Sequence, residues 1–104
     1  MKLSPKDTVQ FNFRELKIPF QKEYKFLPDR KFRFDFYFEF GGKKYGVEYD
    51  GLFAKKSRHT SVTGFSKDTE KLNLAALAGF IVLRYTALTY RQLYKDLLTI
   101  IKSK

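Results

Sequence analysis

Two acidic residues, Asp35 and Glu48, stand at mirror positions on either side of a Gly41-Gly42 pair. The flanking stretches read Arg-Phe-Asp-Phe-Tyr-Phe-Glu-Phe over 33–40 and Lys-Lys-Tyr-Gly-Val-Glu-Tyr-Asp over 43–50. The first alternates apolar and polar residues, the period of a half-buried strand. Gly-Gly is a two-residue hairpin signal. With Phe40 paired to Lys43, Asp35 falls directly opposite Glu48 on one face. Side chains so opposed sit roughly 4.5–5.5 Å apart at Cβ, where like charges repel. A divalent cation between them relieves the repulsion. Hard cations such as Mg²⁺ take oxygen ligands, often one or two carboxylates plus phosphate. The Tyr49 backbone carbonyl is a further candidate oxygen ligand. The plainer alternative is two carboxylates splayed into water. A one-residue slip would move Glu48 to the other face, so the metal reading requires an even-length turn.

The same register places Phe32, Phe34, Phe36, Phe38 and Phe40 on one face, matched by Tyr45, Val47 and Tyr49. Arg33, Asp35, Tyr37 and Glu39 share the other with Gly46, Glu48 and Asp50. It also pairs Glu39 with Lys44 and Arg33 with Asp50, so a purely structural role for Asp50 stays open. The next segment carries Lys55, Lys56, Arg58 and His59. A basic loop over an acidic metal site suits phosphodiester cleavage: cations hold the backbone phosphates while a metal supports the chemistry. A merely solvated loop is the alternative. His59, the only histidine, is a candidate phosphate contact or proton shuttle. Lys71 is a candidate to face the scissile phosphate, or else an ion-pair partner of Asp68 or Glu70. Arg84 interrupts the run Ile-Val-Leu-Arg-Tyr, as a strand-end surface residue or a phosphate contact.

These residues need elements to hold them. The spacing predicts a helix over 8–17, capped by Asp7 or Thr8 and ended by Pro19, with Val9, Phe13 and Leu16 at helical intervals. Strands follow over 21–27, 31–40 and 43–50. Residues 51–64 lack periodicity and read as a long loop, a type often functional. A second helix is predicted over 65–78. Ser66 would cap it, Asp68 and Glu70 would lie in its first turn, Leu72, Ala75 and Ala76 would face inward, and Gly79 would stop it. Residues 80–85 form an apolar strand, and 89–102 a closing helix with Leu93, Leu97, Ile100 and Ile101 inward. The expected fold is α/β, a mixed four-stranded sheet flanked by helices, the second helix crossing over to a parallel strand.

The chain has 104 residues, suited to a single domain over 1–104. Its 21 basic and 11 acidic residues give a net charge of +10, which favours a polyanion, nucleic acid ahead of an anionic membrane. There is no cysteine, hence no disulfide framework or thiolate metal site. No stretch approaches the roughly 20 apolar residues of a membrane span. The opening residues lack the apolar run of a secretory signal, so a cytoplasmic location is expected. The 12 Phe and 7 Tyr are expected mostly in the core.

Several motifs now line up in order: Arg33-Phe34-Asp35-Phe36, Val47 to Gly51, Arg58-His59-Thr60, Asp68 to Ala75, and Gly79 to Thr86. With these the chain resembles the PD-(D/E)XK nuclease superfamily, in particular its small phage-encoded and bacterial members. The likeness spans residues 22–86, and very-short-patch repair endonucleases share it more distantly. The resemblance implies a restriction-endonuclease-like αβββαβ core and Mg²⁺-dependent cleavage of DNA, with Mn²⁺ as a substitute. It makes Asp35 and Glu48 the metal ligands. The family's Pro-Asp is Phe34-Asp35 here, and the lysine two residues after the Glu is Asp50. Lys71 is then the candidate replacement for that lysine, and Asp50 a candidate third ligand. Relatives often place another acid on the first helix; Glu15 and Gln10 are both near the expected turn. The leading expectation is an endodeoxyribonuclease, working as a homodimer if both strands are cut, in the bacterial host cytoplasm if phage-encoded. Its alternative is a catalytically inactive nucleic-acid-binding module of the same fold.

Overall fold

The computed structural model describes residues 3–51 and 62–103. Its elements are α1 (Pro5–Glu15), β1 (Gln21–Lys25), β2 (Arg33–Phe40), β3 (Lys43–Asp50), α2 (Val62–Leu77), β4 (Phe80–Thr86) and α3 (Leu93–Lys102). A 3-10 turn over Tyr90–Gln92 leads into α3. The four strands form one mixed sheet in the order β1-β2-β3-β4. β1, β2 and β3 are antiparallel neighbours, and β4 runs parallel to β3. Among the described residues no helix is long and apolar enough to cross a membrane.

The hairpin has the expected register. Phe40 pairs with Lys43, Glu39 with Lys44, and so on to Phe36 with Val47. Gly41 and Gly42 have φ of 61° and 80°. A tight turn that matches strand twist needs positive φ at both positions, which glycine adopts without steric cost. Glu39 keeps Lys44 as its ladder partner and also accepts a hydrogen bond from the Tyr37 hydroxyl.

Two apolar clusters lie on opposite faces of the sheet. One joins Val9 and Phe13 of α1, Leu93 and Leu97 of α3, and Phe36, Phe38, Tyr45, Val47 and Tyr85 of the strands. The other joins Ala75 of α2 to Phe26, Phe34, Tyr37 and Phe80. The five phenylalanines of 32–40 therefore do not share a face, contrary to the alternation read from sequence. Phe34 and Phe32 pack on the α2 side, while Phe36, Phe38 and Phe40 pack on the α1/α3 side. The alternation breaks at Asp35. On β1 the register brackets Glu23 across from it, and Glu23 has φ of 51°. Both strands change face together, so their register is kept. Gly46 makes the change feasible: a Cβ there would come within 2.5 Å of the Phe34 ring.

The helices differ from expectation at their starts. Ser4 caps α1, its Oγ accepting from the Asp7 N–H at 3.1 Å, with Pro5 next. Ser-Pro is the stronger start signal, so the helix begins earlier than residue 8. It ends at Glu15, and Lys17 turns left-handed with φ of 58°, before Pro19 acts. α2 begins at Val62, so Ser66 is not its cap and Asp68 and Glu70 lie beyond its first turn. Its inward face carries Leu74 and Ala75, with Ala78 just past its end packed on the same side, and Ala76 is exposed.

Candidate active site

The β2–β3 ladder stops one pair short of Asp35 and Glu48. Beyond that point the Tyr49 backbone N–H donates to Asp35 Oδ2 at 2.7 Å. A side chain thus takes the place of a strand-to-strand bond, and the two strands part. In an antiparallel ladder a residue's N–H and C=O address the same neighbour. By that rule the Tyr49 carbonyl lies on the same edge of β3 as its N–H, the edge that faces β2. Glu48 sits between these groups and α2.

Each carboxylate has its own lysine, from opposite sides of the sheet. Lys6 of α1 approaches Asp35 Oδ1 at 3.2 Å, and Lys71 of α2 approaches Glu48 Oε2 at 2.6 Å. Lys71 is therefore on Glu48, whereas Glu70 pairs with Arg30 at 2.7 Å. Asp50 does not pair with Arg33. Arg84, one strand over, reaches it at 3.6 Å, and Arg33 stands across from Lys25 of β1. The face change at Asp35 ends the β2–β3 ladder before Arg33 could reach Asp50, and the parallel neighbour supplies the cation instead.

Glu48, Asp50, Lys71 and Arg84 line a cleft of about 340 Å³, with Asp68 also on its wall. Phe34, Leu72, Ala75 and Val82 form its apolar side. Asp35 is not in the lining but joins the cleft through Tyr49, which is. Burial pushes the Glu48 carboxyl above its usual range. Lys71 opposes that rise, the neighbouring Asp35 charge adds to it, and Arg84 opposes it. The charged Glu48 is thus under-compensated by the lysine it has.

The donor chemistry fits a hard divalent cation. Asp35 and Glu48 offer carboxylate oxygens and Tyr49 a carbonyl, and the chain has no cysteine to compete as a soft ligand. Among the described residues no group of three or more His, Cys, Asp or Glu side chains converges. Two carboxylates remain, a number Mg²⁺ commonly takes alongside water and phosphate.

Of the residues singled out from sequence, Glu48, Tyr49, Asp50, Lys71 and Arg84 line one cleft. Asp35 stays outside that lining with its lysine on the α1 side, so it does not lie paired with Glu48 on one face as the register implied: the ladder ends before the two could pair, where the β2 alternation breaks at Asp35. Lys55, Lys56, Arg58 and His59 lie outside the described residues. Neither first-helix candidate reaches the cleft: Glu15 is exposed at the last position of α1, and Gln10 accepts from Arg14 at 3.4 Å. Lys6 was not foreseen. Its only sequence signal is a cation in a helix's first turn, where the dipole disfavours it. No protein-family model matches the sequence, and no curated protein or solved structure gives a significant match.

Proposed function

We propose that the chain is a Mg²⁺-dependent endonuclease acting on DNA, of the PD-(D/E)XK kind. The observation that carries this reading is the Asp35 carboxylate held by the Tyr49 N–H where β2 and β3 part, within electrostatic range of Glu48, whose carboxylate is 2.6 Å from Lys71. The element order helix, three strands, helix, strand is that of the αβββαβ core the resemblance implies. Asp35, Glu48 and the Tyr49 carbonyl would hold Mg²⁺, or Mn²⁺ in its place. The cation supplies positive charge at the phosphoryl oxygens and a nucleophile at neutral pH.

The remaining work falls to the chain's own residues. Asp50 stands where the family has its lysine, and Lys71 brings an ammonium from α2 to the same carboxylate. There it stabilises charge that develops on the phosphate during displacement. Asp50, held by Arg84 at 3.6 Å, fixes the cleft wall and is not a third ligand, since no three acidic side chains converge among the described residues. Arg84 binds phosphate together with Lys55, Lys56, Arg58 and His59. Cutting both strands takes two copies or two encounters, so a homodimer belongs to this reading.

One observation favours a second reading, a non-catalytic DNA-binding module. Lys6 and Lys71 already give each carboxylate a counter-charge without any cation. A nicking assay on supercoiled DNA with Mg²⁺ or Mn²⁺ separates the two. For the endonuclease, Glu48→Gln and Asp35→Asn each lose about 100-fold or more, because a catalytic cation is worth several kcal/mol in the transition state. Wild-type protein that binds DNA equally well in EDTA and never nicks it would establish the module instead.

A further inference from the structure

We infer that Lys6 is a phosphate-binding residue stored on Asp35. It neutralises the carboxylate in the absence of a divalent cation, and it turns to the DNA backbone once a cation takes its place. This rests on the endonuclease reading and adds a residue to it.

The two oxygens of Asp35 are differently engaged. Oδ2 accepts the Tyr49 N–H at 2.7 Å, a bond that holds β2 to β3. Among the described residues, Oδ1 faces only the Lys6 ammonium, at 3.2 Å. A cation reaching Asp35 without unzipping the strands therefore binds through Oδ1 and competes with Lys6. Lys71 is the firmer partner of the pair. Its side chain is 21% exposed and 2.6 Å from Glu48, against 47% and 3.2 Å for Lys6 on Asp35. An exposed lysine on a longer contact yields first.

Lys6 is also placed against local preference. It sits in the first turn of α1, beside the Ser4 cap, where the helix dipole favours anions. An anion facing that position offsets the unfavourable dipole, and Asp35 is that anion in the free protein. When a cation neutralises Asp35, the nearest group able to replace it is the phosphate brought in by the same cation. Lysine's flexible four-carbon stem permits this exchange without moving the helix. No bond is made or broken in the exchange beyond the ion pairs.

Lys6→Met tests it with two readouts that need no turnover. Calorimetric titration with Mn²⁺, without DNA, should show about twofold to fivefold tighter binding than wild type, the scale of one exposed ion pair. Lys102→Met, the same charge change in the last turn of α3, should leave Mn²⁺ affinity unchanged. In Ca²⁺, the slope of log affinity for duplex DNA against log salt should fall in magnitude by about 0.9 for Lys6→Met, one phosphate contact. In EDTA it should not change. Equal Mn²⁺ affinity for Lys6→Met and a wild type that binds the ion overturns the Lys6 inference and leaves the metal site standing. An equal slope change in Ca²⁺ and EDTA also overturns it, making Lys6 a constant contact. If neither protein binds Mn²⁺, the endonuclease reading itself fails, and this one with it.

Discussion

Gly46 shows how one missing side chain shapes the site. The Phe34 ring occupies the space a Cβ would need, and that ring is buried and stacked on Phe26 with centroids 4.2 Å apart. Gly46→Ala must therefore push the ring off its partner. The expected cost is about 1–3 kcal/mol, the range for overpacking a core, read from urea unfolding. Lys71 acts at the same scale through charge. It holds the Glu48 carboxyl down against the upward push of burial. Lys71→Met removes that opposition, so the Glu48 pKa should rise further, as followed by carboxyl NMR shifts.

At the scale of elements, α3 is tied to β4 by one polar bond within an apolar contact. The Tyr85 hydroxyl donates to Asp96 Oδ2 at 2.7 Å. Burial, then the bond to Asp96, raises the Tyr85 phenol above its ordinary value. The folded protein then keeps a proton that the unfolded chain gives up near pH 10. That stability is complete below about pH 10 and declines as the pH climbs toward the folded-state value. Thermal unfolding should therefore fall steeply above about pH 10, and Tyr85→Phe should flatten that fall. Leu97, fully buried in the same helix, has no such dependence. Leu97→Ala should cost about 2–5 kcal/mol at any of these pH values, by chemical denaturation.

For the whole molecule, the sheet separates two apolar layers and places Glu48 and Asp50 in one cleft, while the chain carries a net charge of +10. Carboxylates in a cleft of a basic protein attract a cation locally, while the net charge attracts a polyanion globally. The proposed DNA complex would therefore be strongly salt-dependent. Even three phosphate contacts predict about 40-fold weaker binding as salt rises from about 50 to about 200 mM. Fluorescence anisotropy with a labelled duplex would measure it, and a flat response would mean that the charge does not face DNA.

The hairpin register and the order of elements were legible from sequence because their causes are local. Two glycines permit one turn, a tight turn permits one register, and apolar runs of different period separate strands from helices. The parallel placing of β4 followed from the helix that precedes it. Only the tertiary structure decided which face Phe34 occupies, that Arg84 rather than Arg33 meets Asp50, and that Lys6 reaches Asp35 across 29 positions. Those outcomes depend on how layers pack around a vacancy at Gly46, and the period of a strand carries no information about what lies above or below it.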